Sequence, residues 1–464
     1  MPQQQLGQGP LGAGRPVPVP TRPDDDGSPP ARFVGWLGGL GCAAAGYGVF
    51  QFLFEVLPDS ISGRPATYLI AGVSGLGTAT ITWLAAGLLR SRTAERSARA
   101  ATAPAAAARP APGPLPQVLA AAYDTLAGQL AAVDDPACGR LTGWSHSLGE
   151  STPVRPTSVG TAYGLHIVLD LCVPDGRLST GELVDTLWRL RLPDGGWSAR
   201  SQGPEARPEV TALVLGALAR AGVSPDQLAP EVAGCEARFT PALDSAGRES
   251  THVVTTVLRG LLRAAPRSAL LPVLRDTLVE GARGDDRRGG LRCWSYRLGA
   301  PNGRPSPLHT AQAVVALERA ARVLGENAAA RAAREDGERW LLACPEASHD
   351  TCGDLENLRE EIRRPRTGDP SRHEVLNVRH FTAAWVARAL LSPGTQEVAR
   401  ADGLDAPWRE RLEGAVAAVW ARQTGGIWTW DQSDTTGLRQ PMWMTYQGLS
   451  ALRAHAVWMC QPDH

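Results

Sequence analysis

Two kinds of helical pattern alternate along most of the chain after about residue 116. In the first kind, apolar residues recur at i, i+3, i+4 and i+7 among charged ones, which predicts an amphipathic helix with one exposed face. The second kind is more apolar and richer in Ala and Gly, as in TALVLGALARAG from Thr211 and TAQAVVALERAA from Thr310. It follows a turn rich in Gly or Arg. The alternation therefore predicts pairs of helices, one outer and one inner.

Six such pairs can be placed. Outer helices are expected over 118–133, 181–192, 225–237, 268–282, 328–343 and 408–422. The inner helices follow near Thr161, Thr211, Thr255, Thr310, Thr382 and Thr445. Small side chains let helices approach closely, so the Ala-rich helices should lie inside. The prediction is an all-α fold, an (α/α)6 toroid of six outer and six inner helices.

An aromatic residue precedes the inner Thr at a nearly fixed distance in five of the six pairs. The pairs are Trp144 with Thr161, Trp197 with Thr211, Phe239 with Thr255, Trp294 with Thr310 and Trp428 with Thr445. A recurrence of this kind indicates a repeat architecture, in which the aromatic side chain fixes each turn to its outer helix. The pair at Thr382 lacks it and carries an insertion, 345–379, which is either a lid or partner-docking element or a tolerated surface insertion.

The first 116 residues predict three further segments. Residues 1–31 are rich in Pro, Gln and Gly and cannot bury a core, so a disordered tail is expected. The runs 33–54 and 67–89 carry no charge and are long enough to cross a bilayer, which predicts a transmembrane hairpin over 32–90. An Ala/Pro/Arg linker, 91–116, would join it to the toroid domain, 117–464.

Charge distribution predicts the location. Arg residues flank both ends of the hairpin, whereas its connector holds only Arg64, so both termini should be cytoplasmic and the protein should sit in the cell membrane. The chain has 47 basic and 47 acidic residues, which argues against a nucleic-acid partner. Eight scattered cysteines favour a reducing compartment.

Two of the turns carry a family resemblance. LPDGGWS at 192–198 and QTGGIWTW at 423–430 resemble the QW-type repeats of terpenoid cyclases and the related turns of protein prenyltransferase β subunits. Arg191 stands where the repeat has Gln. The resemblance covers about 116–464, and it implies an α/α toroid that holds an isoprenoid or another apolar ligand in its mouth.

The catalytic motifs of these families are not matched. Cyclases that start by protonating their substrate use a DxDD motif, which is absent here. The nearest cluster is Asp431 and Asp434 in WDQSD, and no DDxxD diphosphate motif or CHG zinc motif occurs either.

Zinc is an alternative, although no cofactor is favoured. The resemblance to protein prenyltransferases implies an Asp, a Cys two residues later and a distant His as ligands, which Asp350, Cys352 and His380 match in part. A second set around the same insertion is Cys344, His349, Cys352 and His373. The alternative is that both sets are ordinary surface and core residues of a loop.

Sugar chemistry is a further alternative, since α/α barrels also carry glycoside hydrolases with paired carboxylates. Turn carboxylates at one mouth could serve this role or simply be solvated: Glu150, Glu205, Asp286, Glu374 and Asp431.

The starts of the inner helices should converge on the central opening. Their aromatic and imidazole side chains would form a partly polar cavity suited to an apolar ligand, or would be core: Tyr163, His252, His309, His380, Trp385, Trp443 and Tyr446. His309 and His380 are the candidate catalytic residues.

Two functions remain open at this point. The first is a membrane-tethered toroid without known catalytic motifs, which binds a lipid or, at 345–379, a partner protein. The second is an enzyme acting on isoprenoid or prenylated substrates through His309, His380, Asp350 and Cys352. The enzyme requires these side chains to meet within hydrogen-bonding reach of one another in one cavity.

Overall fold

A computed structural model describes residues 115–149, 154–172, 176–199, 205–243, 250–300, 302–344, 355, 358–366, 369–430 and 440–461. The predicted tail and hairpin, and nearly all of the linker, lie outside these ranges. Among the residues described, no helix is both long enough and apolar enough to cross a membrane.

The described chain is mostly helical, and its helices alternate between two layers. In chain order they are α1 (Leu115–Gly128), α2 (Ser158–Leu171), α3 (Thr180–Arg189), α4 (Pro208–Arg220), α5 (Pro225–Leu243), α6 (Thr251–Ala264), α7 (Leu270–Gly281), α8 (Pro307–Leu324), α9 (Ala328–Leu342), α10 (Thr382–Leu390), α11 (Pro393–Ala401), α12 (Asp405–Ala421) and α13 (Met442–Met459).

Six of these helices form a closed inner ring. Helices α2, α4, α6, α8, α10 and α13 pack side by side in that order, and α13 packs on α2. Outside them, α3, α5, α7 and α9 pack on α2, α4, α6 and α8, while α12 packs on α10 and α13. The remaining outer helix, α1, packs on α13 and α2. The α/α toroid prediction is thereby confirmed for the described residues. Helix α11 is an additional short helix that the pattern did not predict.

Short β-hairpins make several of the turns. Strands β1 (Ala131–Asp135) and β2 (Gly139–Gly143) pair, and β3 (Ser147–Leu148) pairs with the late strand β10 (Gln440–Pro441). The others are β4 (Arg283–Asp285) with β5 (Leu291–Cys293), β6 (Leu358–Arg366) with β7 (Asp369–His380), and β8 (Gln423–Thr424) with β9 (Ile427–Trp428).

The first outer helix is shorter than expected. The predicted range 118–133 runs past Gly128 into β1, so its last residues are strand. The hairpin turn explains the change, because Asp135 Oδ1 accepts hydrogen bonds from the backbone N–H groups of Ala137 and Cys138 at 3.0 and 2.9 Å. This Asp-led turn reverses the chain and gives the segment a strand partner.

The repeated tryptophans fix each turn to its outer helix. Each indole N–H donates to a carbonyl near the end of that helix: Trp144 to Leu126, Trp197 to Leu187, Trp294 to Leu278 and Trp428 to Val419, at 2.6–3.0 Å. All four rings are buried, so each bond satisfies a donor that would be costly to leave unpaired. The role predicted for these residues is confirmed.

The fixed spacing to the inner Thr also has a physical cause. Backbone N–H groups of Trp197, Trp294 and Trp428 donate to the hydroxyls of Thr211, Thr310 and Thr445 at 3.1–3.3 Å. In each of these three pairs, the Trp therefore bonds to the outer helix through its indole N–H and to the inner helix through its backbone N–H.

Glycine provides the space for these rings. A Cβ at Gly164 of α2 or Gly448 of α13 would overlap the Trp144 or Trp428 ring. In the turns themselves, Gly195 and Gly196 have φ of 86° and 74°, a left-handed conformation that side chains other than Gly adopt only at a cost.

Replacing Glu338 with Gln should stabilise the protein more at pH 8 than at pH 5. Glu338 of α9 is fully buried, and burial raises its pKa to about 7 despite Arg334, whose Nη1 donates to it at 2.7 Å. Arg334 keeps its own charge because Glu326 also pairs with it, whereas Glu338 Oε2 has no hydrogen-bond partner among the described residues.

The direction of this pH dependence follows from the linkage between proton binding and folding. A carboxyl whose folded pKa is raised favours the native state below the unfolded pKa, and this contribution is lost as the pH rises through about 7. Thermal unfolding of both proteins at several pH values measures the difference. A difference that stays constant from pH 5 to pH 8 would contradict the assignment.

Candidate metal centre and neighbouring cavities

The insertion predicted at 345–379 contains the β6–β7 hairpin. Strand alternation buries Glu360, which is 5% exposed, while its neighbours Arg359 and Glu361 are exposed. The hydroxyl of Tyr296 donates to the backbone carbonyl of Glu361 at 2.5 Å. This bond ties the hairpin to the turn that precedes α8.

Two histidines meet the hairpin at the N-terminal end of the inner helices. His309 lies in the first turn of α8, which Ser306 caps. His380 is the last residue of β7 and comes two residues before α10. Both side chains are buried, with 0% and 1% exposure. Because α8 and α10 are neighbours in the ring, the two imidazoles arrive side by side.

Glu360 lies between these two rings. His309 Nε2 contacts Glu360 Oε1, and His380 Nε2 lies 3.3 Å from Glu360 Oε2. One ligand atom from each of the three side chains lies within 4.8 Å of the others. The arrangement brings two imidazoles and one carboxylate, from three different elements, to a single point.

The carboxylate is ionised and incompletely hydrogen-bonded. Burial alone would favour the neutral acid, but His309 and His380 outweigh it and hold the pKa of Glu360 far below its ordinary value. Among the described residues, neither Glu360 oxygen nor His380 Nε2 has a well-aligned hydrogen-bond partner. Buried polar atoms are rarely left in this condition unless they hold a water or an ion.

A third histidine stands next to the cluster. The His252 ring packs edge-on against His380, with ring centroids 4.7 Å apart. Burial holds the pKa of His252 well below its ordinary value, and the neighbouring His380 acts in the same direction. His252 is therefore a neutral imidazole at pH 7.

Two cavities reach the cluster from different sides. The first, about 330 Å³, is bounded by His252 and His380 and has aromatic and aliphatic walls that include Tyr163, Leu213 and Trp443. The second, about 550 Å³, is bounded by His309, Tyr296 and the loop at 300–306. A ligand in either cavity would touch one of the two histidines.

The residues predicted for the central opening are distributed over several places. Tyr163, His252, His380 and Trp443 line the 330 Å³ cavity, and His309 lines the 550 Å³ cavity. Tyr446 lines a different cavity. Trp385 is buried between two arginine side chains.

The zinc sets predicted from sequence meet the structure only in part. His380 belongs to the cluster, but its predicted partners Asp350 and Cys352 lie outside the described residues, as does His349. Cys344 is buried at the end of α9. Among the carboxylates considered for sugar chemistry, Asp286 is exposed on a short 3-10 turn.

Comparisons with known proteins give no family. No protein-family model matches the chain, and no curated protein matches it. A solved structure, cellobiose 2-epimerase from Bacillus thermoamylovorans B4167, matches with 12% identity and a TM-score of 0.46, covering 73% of this chain and 99% of that one. A likeness of this degree identifies neither a family nor an activity.

Proposed function

We propose that the toroid is a metal-dependent enzyme whose centre is formed by His309, Glu360 and His380. The observation that carries the proposal is the meeting of these three buried side chains at one point. Two His and one Glu are the protein ligands of a class of hydrolytic zinc sites, which keep a further position open for water or substrate. Zinc bound there would supply Lewis-acid chemistry and an activated water.

The residues present fit such an ion. Zinc bonds of about 2.0–2.2 Å place the ligand atoms of one ion roughly 3–4 Å apart, and the three side chains are already close to that spacing. Metal ligation requires both imidazoles to be neutral, so the buried carboxylate of Glu360 then needs another compensating positive charge. A divalent cation supplies it and uses the oxygen atoms that lack aligned partners.

The substrate class follows from the 330 Å³ cavity. Its volume suits a small molecule. Tyr163, Leu213 and Trp443 offer apolar contact, while Gln447 and Arg379 add polar groups to its lining. We infer a substrate with an apolar body, of which an isoprenoid is one example, whose reactive group reaches the open position beside His380.

A non-catalytic binding module is the second candidate, because the same apolar walls would hold a lipid without any reaction. In either case the uncharged segments 33–54 and 67–89 support a membrane tether, which would place the toroid beside substrates dissolved in the bilayer.

Elemental analysis of the purified full chain, with mass spectrometry of small molecules that co-purify, tests the proposal. We expect about one zinc or similar transition metal per chain and its loss on replacement of His309 by Ala. His455→Ala, on α13 and outside the cluster, is the control that should retain the metal. A content below about 0.1 metal ion per chain, after purification in the presence of added metal, would contradict the proposal of a metal-dependent enzyme. A co-purifying lipid in the metal-free chain would then support the binding module.

A further inference from the structure

A second group of charged residues lies at the opposite end of the inner helices. A cavity of about 620 Å³ opens there, bounded by α2, α4, α6, α8, α11 and α13. Among the described residues, five arginines and two carboxylates line it: Arg220, Arg263, Arg319, Arg400 and Arg453, with Asp170 and Glu397. The histidines lie at the helix N-termini and these arginines at or near the C-termini, so the two sites are separate.

The carboxylates do not neutralise this group. Asp170 pairs with Arg220 at 2.5 Å and also contacts Arg453. Within the part of the chain that the structure describes, no carboxylate forms an ion pair with Arg263 or Arg319. Among the described residues, therefore, no carboxylate offsets the positive charge of these two side chains.

Two further arginines add to the charge. Arg259 and Arg388 stack on the Trp385 ring, with guanidinium carbons 4.5 and 4.9 Å from its centroid. Arg259 Nε and Arg388 Nη1 are buried and have no hydrogen-bond partner among the described residues. Arg388 as a whole is only 9% exposed. Neither side chain lines the cavity itself, so both contribute to the site through their charge and not through contact with a ligand.

The ionisable groups respond as expected for a strongly positive region. Burial, reinforced by Arg388, lowers the pKa of Arg259 to about 10. Burial would raise the pKa of Tyr446, but Arg388, Arg263 and Arg259 together lower it. The shift at Tyr446, which lines the cavity, has the direction that nearby positive charge produces.

Helix dipoles explain only part of this arrangement. A cation in the last turn of a helix is favourable, and Arg220 and Arg263 occupy such positions. Arg319 lies more than a turn before the end of α8, and Arg259 more than a turn before the end of α6. The helix dipole therefore does not account for these two arginines, which have no ion-pair partner among the described residues.

We propose that the cavity lined by Arg220, Arg263, Arg319, Arg400 and Arg453 binds an anion that carries a phosphate or diphosphate group. Planar guanidinium groups match phosphate oxygens with paired N–H donors, and several of them around one cavity favour more than one negative charge. The volume accommodates a phosphorylated small molecule or the headgroup of an anionic lipid.

Thermal unfolding of the full chain with inorganic pyrophosphate tests this proposal. At a concentration about a hundredfold above Kd, pyrophosphate should raise the Tm by roughly 4 °C, whereas sodium chloride of the same ionic strength should not. In Arg319→Gln this shift should disappear. The variant without ligand should be more stable than the natural protein, because a repelling charge has been removed.

Arg267→Gln is the matched control, because Arg267 is an exposed arginine in the loop between α6 and α7. It should keep the full pyrophosphate shift. The proposal would be overturned if Arg319→Gln and the natural protein showed the same shift in Tm. It would also be overturned if neither pyrophosphate nor phosphatidic-acid vesicles shifted the Tm of the natural protein. A lower Tm of ligand-free Arg319→Gln would overturn it too, because that result identifies a structural arginine.

The same measurement with vesicles distinguishes the source of the phosphate. Binding to phosphatidic-acid vesicles that Arg319→Gln abolishes, with no binding to phosphatidylcholine vesicles, assigns the site to a lipid headgroup. A pyrophosphate shift without vesicle binding assigns it to a soluble phosphorylated molecule.

Discussion

Glu360→Gln is expected to remove the metal from the His309/Glu360/His380 centre while leaving the toroid folded. Gln has nearly the shape of Glu but no negative charge, and a divalent cation loses both a ligand and its charge compensation. Loss of an outer-shell partner alone costs roughly 10–100-fold in metal affinity, so loss of this carboxylate should cost more. Elemental analysis should find the metal reduced below detection.

A chelator provides a second measurement. Removing a metal present at about a thousandfold above its Kd should lower the free energy of unfolding by about 4 kcal/mol in the natural protein, and should not change it in Glu360→Gln. The adjacent Glu361→Gln is the control, since that side chain is exposed on the same strand. Equal metal content in all three proteins would rule out Glu360 as a ligand.

Trp294→Ala should give the largest loss of stability among the turn substitutions. The ring is fully buried between α7, α8 and α9, and its N–H donates to Leu278 at 2.8 Å. Replacing a buried aromatic side chain with Ala costs about 3–5 kcal/mol. The Leu278 carbonyl, which loses its indole donor in this variant, adds to the loss of stability. Chemical denaturation monitored by circular dichroism measures the difference.

Trp420→Ala is the matched control, because Trp420 of α12 is only partly buried. We expect it to cost well under half as much. Trp294→Phe separates the two contributions, since it keeps most of the ring and removes the N–H donor. Equal losses for Trp294→Ala and Trp420→Ala would show that the turn does not depend on this ring.

The helix pairs could be predicted because each signal was repeated. The apolar period and the aromatic-to-Thr spacing recur from pair to pair. In three of the pairs the structure shows the cause of that spacing, which is a hydrogen bond from the backbone N–H of the Trp to the hydroxyl of the Thr. Boundaries were less accurate. The end of α1 depends on the side chain of Asp135 in a turn, which helical periodicity does not detect.

The cluster of His309, Glu360 and His380 could be predicted only in part. His309 and His380 were identified because both lie at the start of inner helices. Glu360 is not among the predicted site residues, because the insertion 345–379 was expected to be a lid or partner-docking element or a tolerated surface insertion. Leu358, Glu360 and Ile362 alternate with charged residues, a period of two that indicates a strand with one face inward. That signal would have placed Glu360 among the candidates.

The arginine cavity left no comparable signal in the sequence. Arg220 and Arg263 each lie in the last turn of a helix, where a cation is ordinary, and Arg319 stands next to Glu318 in a helix that also carries Arg322. Arg220, Arg263 and Arg453 are far apart along the chain, and only closure of the ring brings them together around one opening.

Ring closure also sets when the protein can fold during synthesis. The seam joins two segments of the toroid that lie about 300 residues apart along the chain: β3 pairs with β10, the Met442 N–H donates to the His146 carbonyl, and α13 packs on α2. Until α13 has left the ribosome, the apolar face of α2 has no partner and is open to aggregation. The ring can therefore close only after nearly the whole described chain has been translated.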